Sequence, residues 1–177
     1  GMFLKTTNGG QNWFVPAPLP DSIYYLIGAW FVNTRIGYVT GDASTSVGEA
    51  CLLKTTNGGL SWRRLTIPDS IVTLRNIEFT DSLRGIAVGY ELTHGTTQGI
   101  ILRTGDGGAT WERHRFSAVD NFTDVSFASA TTSFIVGINT SLTAAVYKST
   151  NGGASWYPLP FSPDSVLLNG VRFVKGT

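Results

Sequence analysis

The stretch Thr55-Thr56-Asn57-Gly58-Gly59-Leu60-Ser61-Trp62 decides the fold. A hydroxyl residue, an Asn two positions on and two consecutive glycines describe a tight turn. The Asn side chain bonds to backbone amides ahead of it, and glycine enters positive φ without steric cost. Apolar Leu52-Leu53 precedes the turn and a tryptophan follows it, the layout of a β-hairpin. The phrase recurs as Thr6-Thr7-Asn8-Gly9-Gly10-Gln11-Asn12-Trp13, Thr104-Gly105-Asp106-Gly107-Gly108-Ala109-Thr110-Trp111 and Ser149-Thr150-Asn151-Gly152-Gly153-Ala154-Ser155-Trp156. Trp13, Trp62, Trp111 and Trp156 are 49, 49 and 45 residues apart, a period that belongs to serial units of about four short strands. Each indole is expected to be a buried packing peg between turn and sheet.

The register extends beyond the turns. Aligning the units on Phe31, Phe79, Phe127 and Phe173 puts Ala29, Ile77, Val125 and Val171 two residues earlier. Gly37, Gly85 and Ser133 then fall six residues later, and Gly41, Gly89 and Gly137 ten later. Alternation around a buried aromatic marks a strand, and the polar residues after it turn the chain into a second one. A whole unit therefore reads A-B-C-D, with the tryptophan phrase at the C-to-D hairpin. The expectation is an all-β protein, a β-propeller with four-stranded antiparallel blades. Its plan is a half blade over 1–17, blades over about 23–67, 72–116 and 121–160, and a lone inner strand over about 167–175. Such a set of blades suits part of a longer propeller, two copies joined as a ring, or one small closed ring. Open blade edges predict self-association unless the ring closes.

These residues resemble the Asp-box, or bacterial neuraminidase repeat, with its Ser/Thr-x-Asp/Asn-x-Gly-x-Ser/Thr-Trp/Phe pattern. Thr6, Asn8, Gly10 and Trp13 carry it in the first copy, and Thr55, Asn57, Gly59 and Trp62 in the second. Thr104, Asp106, Gly108 and Trp111 form the third, and Ser149, Asn151, Gly153 and Trp156 the fourth. Asn12 departs from the pattern at its Ser/Thr position. With the downstream apolar-x-Phe and Gly-x-x-x-Gly, the repeat is most similar to the photosystem II stability/assembly factor type of propeller. That resemblance implies a bacterial scaffold that binds a polypeptide outside the cytoplasm, in the periplasm or after secretion. No segment of the chain reads as a signal peptide.

Composition fits a β domain with an ordinary core: 177 residues, 42% hydrophobic and only 14% charged. A formal net charge of +1 favours neither nucleic acid nor an anionic membrane as partner, and no apolar run is long enough for a membrane-spanning helix. Cys51 is the single cysteine, which excludes an internal disulfide and a cysteine zinc cluster. Its place before Leu52-Leu53 makes it a buried small hydrophobe. Repeated Pro-Asp-Ser formulas at 20–22, 68–70 and 163–165 read as turn chemistry rather than metal sites, and no cofactor signature is present.

Strand parity locates the candidate site. In an A-B-C-D meander the A-to-B and C-to-D turns share one face, so the B-to-C and D-to-A loops share the other. The variable loops there, 41–49, 90–97 and 138–141, are where binding groups are expected. Tyr24, Arg75, Tyr90, Glu91 and His94 form the candidate contact surface for a protein or glycan partner. Arg63-Arg64 and Arg113-His114-Arg115 follow two of the tryptophans and suit charged protection of an outer edge, or alternatively a patch for an acidic partner. A sialidase-type glycoside hydrolase is the competing reading. Arg75, Glu78, Arg172, Asp124 and Tyr24 or Tyr25 lie near the inner strands but do not make up the arginine, tyrosine-glutamate and aspartate set of that chemistry. Arg75 and Glu78, three apart, are expected on opposite strand faces. The expected role is a non-catalytic scaffold.

Overall fold

The computed structural model describes residues 2–16, 19–20, 25–42, 49–160 and 166–174, and every regular element among them is a strand. The first sheet contains β1 (Tyr25–Phe31), β2 (Gly37–Asp42), β3 (Ala50–Thr55) and β4 (Arg63–Arg64). The second contains β5 (Ile71–Phe79), β6 (Gly85–Thr93), β7 (Thr96–Thr104) and β8 (Glu112–Phe116). The third contains β9 (Val119–Phe127), β10 (Ser133–Asn139), β11 (Ala144–Ser149) and β12 (Tyr157–Pro158). In each sheet spatial order equals chain order and all neighbours are antiparallel, so each is a simple meander. Ahead of them, a hairpin is closed by the pair Lys5 and Phe14.

Each tryptophan phrase folds as a small hydrogen-bonded knot. In the second copy the Thr55 hydroxyl accepts the N–H of Gly59 at 2.8 Å and donates to Asn57 Oδ1 at 2.9 Å. Asn57 Oδ1 also accepts the Ser61 N–H at 2.9 Å. The same bonds recur at Thr6, Thr104 and Ser149. Gly58 and Gly59 both take positive φ, 72° and 83°, and a side chain at either would be strained.

Ionisation distinguishes the third knot from the others. The Thr110 hydroxyl donates to Asp106 Oδ2 at 2.6 Å, the Thr110 N–H to Oδ1 at 2.9 Å and Thr104 Oγ1 to Oδ1 at 2.8 Å. These bonds, Thr110's hydroxyl first, hold the Asp106 carboxyl well below the usual carboxylate range. A depressed folded-state pKa contributes stability that is present above the unfolded value, about 3.9, and lost as pH falls towards the folded one. Asp106→Asn gives this knot the residue found in the other three. Its effect on the denaturation midpoint is therefore expected to shrink steadily as pH is lowered below about 4. A mutant-to-wild-type difference constant from pH 7 to pH 2 would contradict this account.

The knots also join the sheets. In the second, third and fourth knots the first-glycine N–H bonds to a carbonyl in the A-to-B turn of its own sheet: Gly58 to Arg35 at 2.7 Å, Gly107 to Leu83 at 2.8 Å and Gly152 to Thr131 at 2.8 Å. Those two turns therefore share one face, as meander parity requires. The same glycine's carbonyl is taken by a cation from the preceding sheet or hairpin. Lys5 Nζ reaches Gly58 O at 2.6 Å, Lys54 Nζ reaches Gly107 O at 2.7 Å and Arg103 Nε reaches Gly152 O at 2.9 Å. The buried Tyr38 hydroxyl adds a second donor to Gly107 O at 2.9 Å, and burial pushes that phenol up to about 12.

Between the sheets lie apolar layers. Tyr38, Leu52, Leu74, Ile77, Phe79 and Leu102 fill the first-to-second boundary, and Ile86, Ile101, Phe122, Val125, Phe127 and Ile135 fill the second-to-third. Phe3 and Leu19 cover Val39, Cys51, Leu53 and Trp62 on the remaining face of the first sheet. Cys51 is fully buried, and this burial raises its thiol to about 11. A thiol reagent at pH 8 is expected to label it only as fast as the protein unfolds; rapid labelling of the native state would contradict that placement.

Three features differ from the sequence expectation. Trp62 is 9% exposed, but Trp13 is 59% exposed and is no buried peg. Trp62 and Trp111 pack edge-on against Phe31 and Phe79 of their own inner strands, whereas the first hairpin has no inner strand of its own among the described residues. Of the lone inner strand expected over about 167–175, the described residues 167–174 join no ladder, because the bonds of Leu168, Val171 and Phe173 run to side chains of β9 and not to its backbone. They follow β9 instead: Leu168 O accepts from Thr123 Oγ1 at 2.8 Å and the Phe173 N–H donates to Ser126 Oγ at 3.2 Å, while Phe173 stacks on Phe134 of β10 with centroids 4.6 Å apart. Finally, 90–97 is no loop. β6 and β7 run nine residues each and meet at a two-residue turn, His94 and Gly95, with φ of 51° and 80°.

Candidate functional site

The inner strands are irregular at one equivalent place. In β1 the pairing slips between Leu26 and Gly28, in β5 between Leu74 and Asn76, and in β9 opposite Val136 and Gly137. The extra residues are Ile27, Arg75 and Thr123, and the same position in the alignment on Phe173 is Asn169. The bulged chain swings close to the paired strand. A Cβ on Gly89 would lie 2.0 Å from the Thr73 carbonyl oxygen, and one on Gly41 1.9 Å from that of Tyr25. This is why glycine recurs ten residues after each of the first three aligned phenylalanines.

Bulges re-aim side chains, and here they turn them into a cleft of about 620 Å³ between the inner strands. Ile27, Gly28 and Ala29 form one wall, Arg75 and Asn76 the next, Asn121, Thr123 and Asp124 the third, with Ile138, Asn169 and Arg172 completing the rim. Asp124 is nearly buried and its carboxylate is saturated. It accepts from Asn76 Nδ2, from the Val125 N–H at 2.9 Å, from the Val171 N–H at 2.8 Å and from Arg172 Nη1 at 2.8 Å. It is the cleft's only carboxylate among the described residues.

The five sequence-selected contact residues do not form one surface. Tyr24 lies outside the described residues. Arg75 and Tyr90 do meet, with the guanidinium carbon 5.9 Å from the phenol ring centroid. Glu91 is fully buried, paired with Arg113 Nη1 at 2.9 Å and with Arg115 Nε. Neighbours along a strand face opposite ways, so Tyr90 and Glu91 cannot share a surface. His94 sits in the β6–β7 turn, exposed, with a left-handed backbone. The Arg113 and Arg115 charges are thus directed to an internal partner.

Of the sialidase-type candidates, Asp124 and Arg172 come together as an ion pair and Arg75 lines the same cleft. Tyr25 is exposed, and Glu78, 3% exposed, lies outside the cleft lining. Sequence reasoning passed over Asn76, Asn121, Thr123 and Asn169. The alignment on the inner-strand phenylalanines already held the signal, since it stacks Ile27, Arg75, Thr123 and Asn169 in one column. What it lacked was the bulge, which breaks strict alternation.

No protein-family model matches the chain, and no curated protein matches it. Solved structures do. YCF48 bound to a D1 peptide superposes with a TM-score of 0.57 at 16% identity over 79% of this chain and 41% of that one. A GH74 enzyme of Niastella koreensis superposes with a TM-score of 0.63 at 15% identity over 88% of this chain and 26% of that one. The fold is a β-propeller. The three sheets are its blades and β1, β5 and β9 their inner strands, so the polar cleft lies on the inner-strand side of the propeller. At these identities the likeness speaks for fold alone, and this chain spans less than half the length of either protein.

Proposed function

We propose that this propeller is a non-catalytic binding scaffold that takes a polypeptide segment into the inner-strand cleft. The observation that carries the reading is the state of Asp124. Two-carboxylate glycoside hydrolysis needs a pair of carboxyl groups about 5–9.5 Å apart, one of them free to trade a proton. Among the described residues this cleft offers one carboxylate, and four donors already occupy it. Among the described residues its lining includes no aromatic ring on which a sugar face would stack, while Ile27, Ala29 and Ile138 supply apolar wall beside carboxamides. That mixture suits main chain and short side chains. The assembly-factor resemblance supports the same reading, and the setting outside the cytoplasm is part of it.

Ala29 is exposed and lines the cleft, so Ala29→Trp fills the site without disturbing the core. Probed on a peptide array, the wild-type protein is expected to retain a subset of peptides that Ala29→Trp loses, and to show no turnover on a panel of fluorogenic glycosides. Peptide retention identical in both proteins would reject the cleft as the binding site, and glycoside turnover would favour the hydrolase. Self-association is proposed through the exposed apolar face of the first hairpin, where Leu4 and Trp13 are 45% and 59% exposed. Sedimentation equilibrium of wild type and Trp13→Ser tests it, with a concentration-independent monomer as the contrary result.

A further inference from the structure

We propose that Arg75 anchors a carboxylate of the bound polypeptide, so that the cleft selects an acidic segment; this rests on the cleft being a polypeptide site. Among the described residues the cleft lining holds three charges, Arg75, Asp124 and Arg172. Arg172 Nη1 contacts both Asp124 oxygens, at 2.9 and 2.8 Å, so these two charges cancel. Arg75 remains. It is half-buried, its Nε is shut off from solvent with no hydrogen-bond partner, and its guanidinium makes no ion pair among the described residues.

Comparison with the other half-buried arginines sharpens the point. Arg103 holds Glu112 and the Gly152 carbonyl, and Arg113 holds Glu91 and the Asp69 carbonyl. Among the described residues the Arg75 guanidinium is partnered by the Tyr90 ring alone, which fixes its position without neutralising it. A partly desolvated cation without a counter-ion is costly, and a ligand carboxylate that pairs with it recovers that cost. Guanidinium presents its N–H groups in a planar fork matched to a carboxylate's two oxygens. Two sources carry this group on a polypeptide, an Asp or Glu side chain and the chain's own C-terminus.

The test is an NMR titration of the full chain, reading the methyl groups of Ile27, Ala29 and Ile138. Three probes are used: acetyl-Gly-Asp-Gly-Gly-amide, acetyl-tetraglycine with a free carboxylate, and the neutral acetyl-tetraglycine amide. At least one acidic probe is expected to bind tenfold or more tightly than the neutral one, and which of the two binds better identifies the source. Arg75→Gln should abolish that difference and Arg75→Lys should retain part of it, with the denaturation midpoint of each variant confirming that it is folded. Equal binding of neutral and acidic probes, or an acid preference that survives Arg75→Gln, overturns the carboxylate anchor and leaves the cleft reading standing. Probes that shift none of the three methyls overturn both. Preference for a uronate oligosaccharide over every peptide, lost in Arg75→Gln, overturns the polypeptide and not the anchor.

Discussion

Phe79→Ala is expected to destabilise the protein by about 3–5 kcal/mol, the usual cost of deleting a fully buried phenylalanine ring. Phe79 is 1% exposed and belongs to the second blade, yet its ring lies on Tyr38 of the first, with centroids 3.9 Å apart and planes 10° from parallel. Trp111 meets it edge-on at 6.4 Å. The deletion therefore opens a cavity where two blades and a knot converge. It also loosens Tyr38, whose hydroxyl holds the Gly107 carbonyl. Urea denaturation should show a lower midpoint, and hydrogen exchange should quicken first in β2 and β5. The equivalent Phe31 is 39% exposed, so Phe31→Ala should cost well under half as much. Similar losses at the two positions would contradict the boundary described above.

Removing both Arg113 and Arg115 is expected to cost about as much, roughly 3–5 kcal/mol, because it strands a buried carboxylate without a counter-charge. Glu91 has no exposed side-chain surface, and both arginines reach it from the outer strand β8. Arg113 also holds the Asp69 carbonyl at 2.7 Å, so the cluster ties β6, β8 and the connector into β5 together. Either arginine alone keeps the charge paired, so each single alanine substitution should cost clearly less than half the double. Replacing all three, as Glu91→Leu with Arg113→Met and Arg115→Met, should return much of the loss, since apolar groups of similar volume fill such a site at little cost. A double mutant within about 1 kcal/mol of wild type would show that Glu91 does not rely on this pairing.

The arginine pair illustrates where sequence reading stops. Charge next to an outer strand is correctly placed by the repeat, but its partner lies 22 and 24 residues away on β6. Which of two adjacent strand residues faces it depends on register. Read as a loop, 90–97 places Tyr90 and Glu91 on one surface. The His94-Gly95 turn, with both residues in the left-handed region, extends the two strands and sends the pair to opposite faces. The cleft residues were hidden for a related reason. Ile27, Arg75 and Thr123 are bulge residues, and a bulge adds one residue to a strand without changing its composition.

What the amino-acid sequence determined alone was local and periodic. Four hydroxyl-x-Asx-Gly-Gly turns satisfy their own hydrogen bonds within about eight residues, so turn, hairpin and repeat length follow from neighbours along the chain. Tertiary structure decided which indoles are buried, where Glu91 finds its charge and that Arg75, Asp124 and Arg172 share a cleft. Those outcomes depend on strand register, bulges and the seating of one blade on the next, all set by contacts between residues dozens of positions apart.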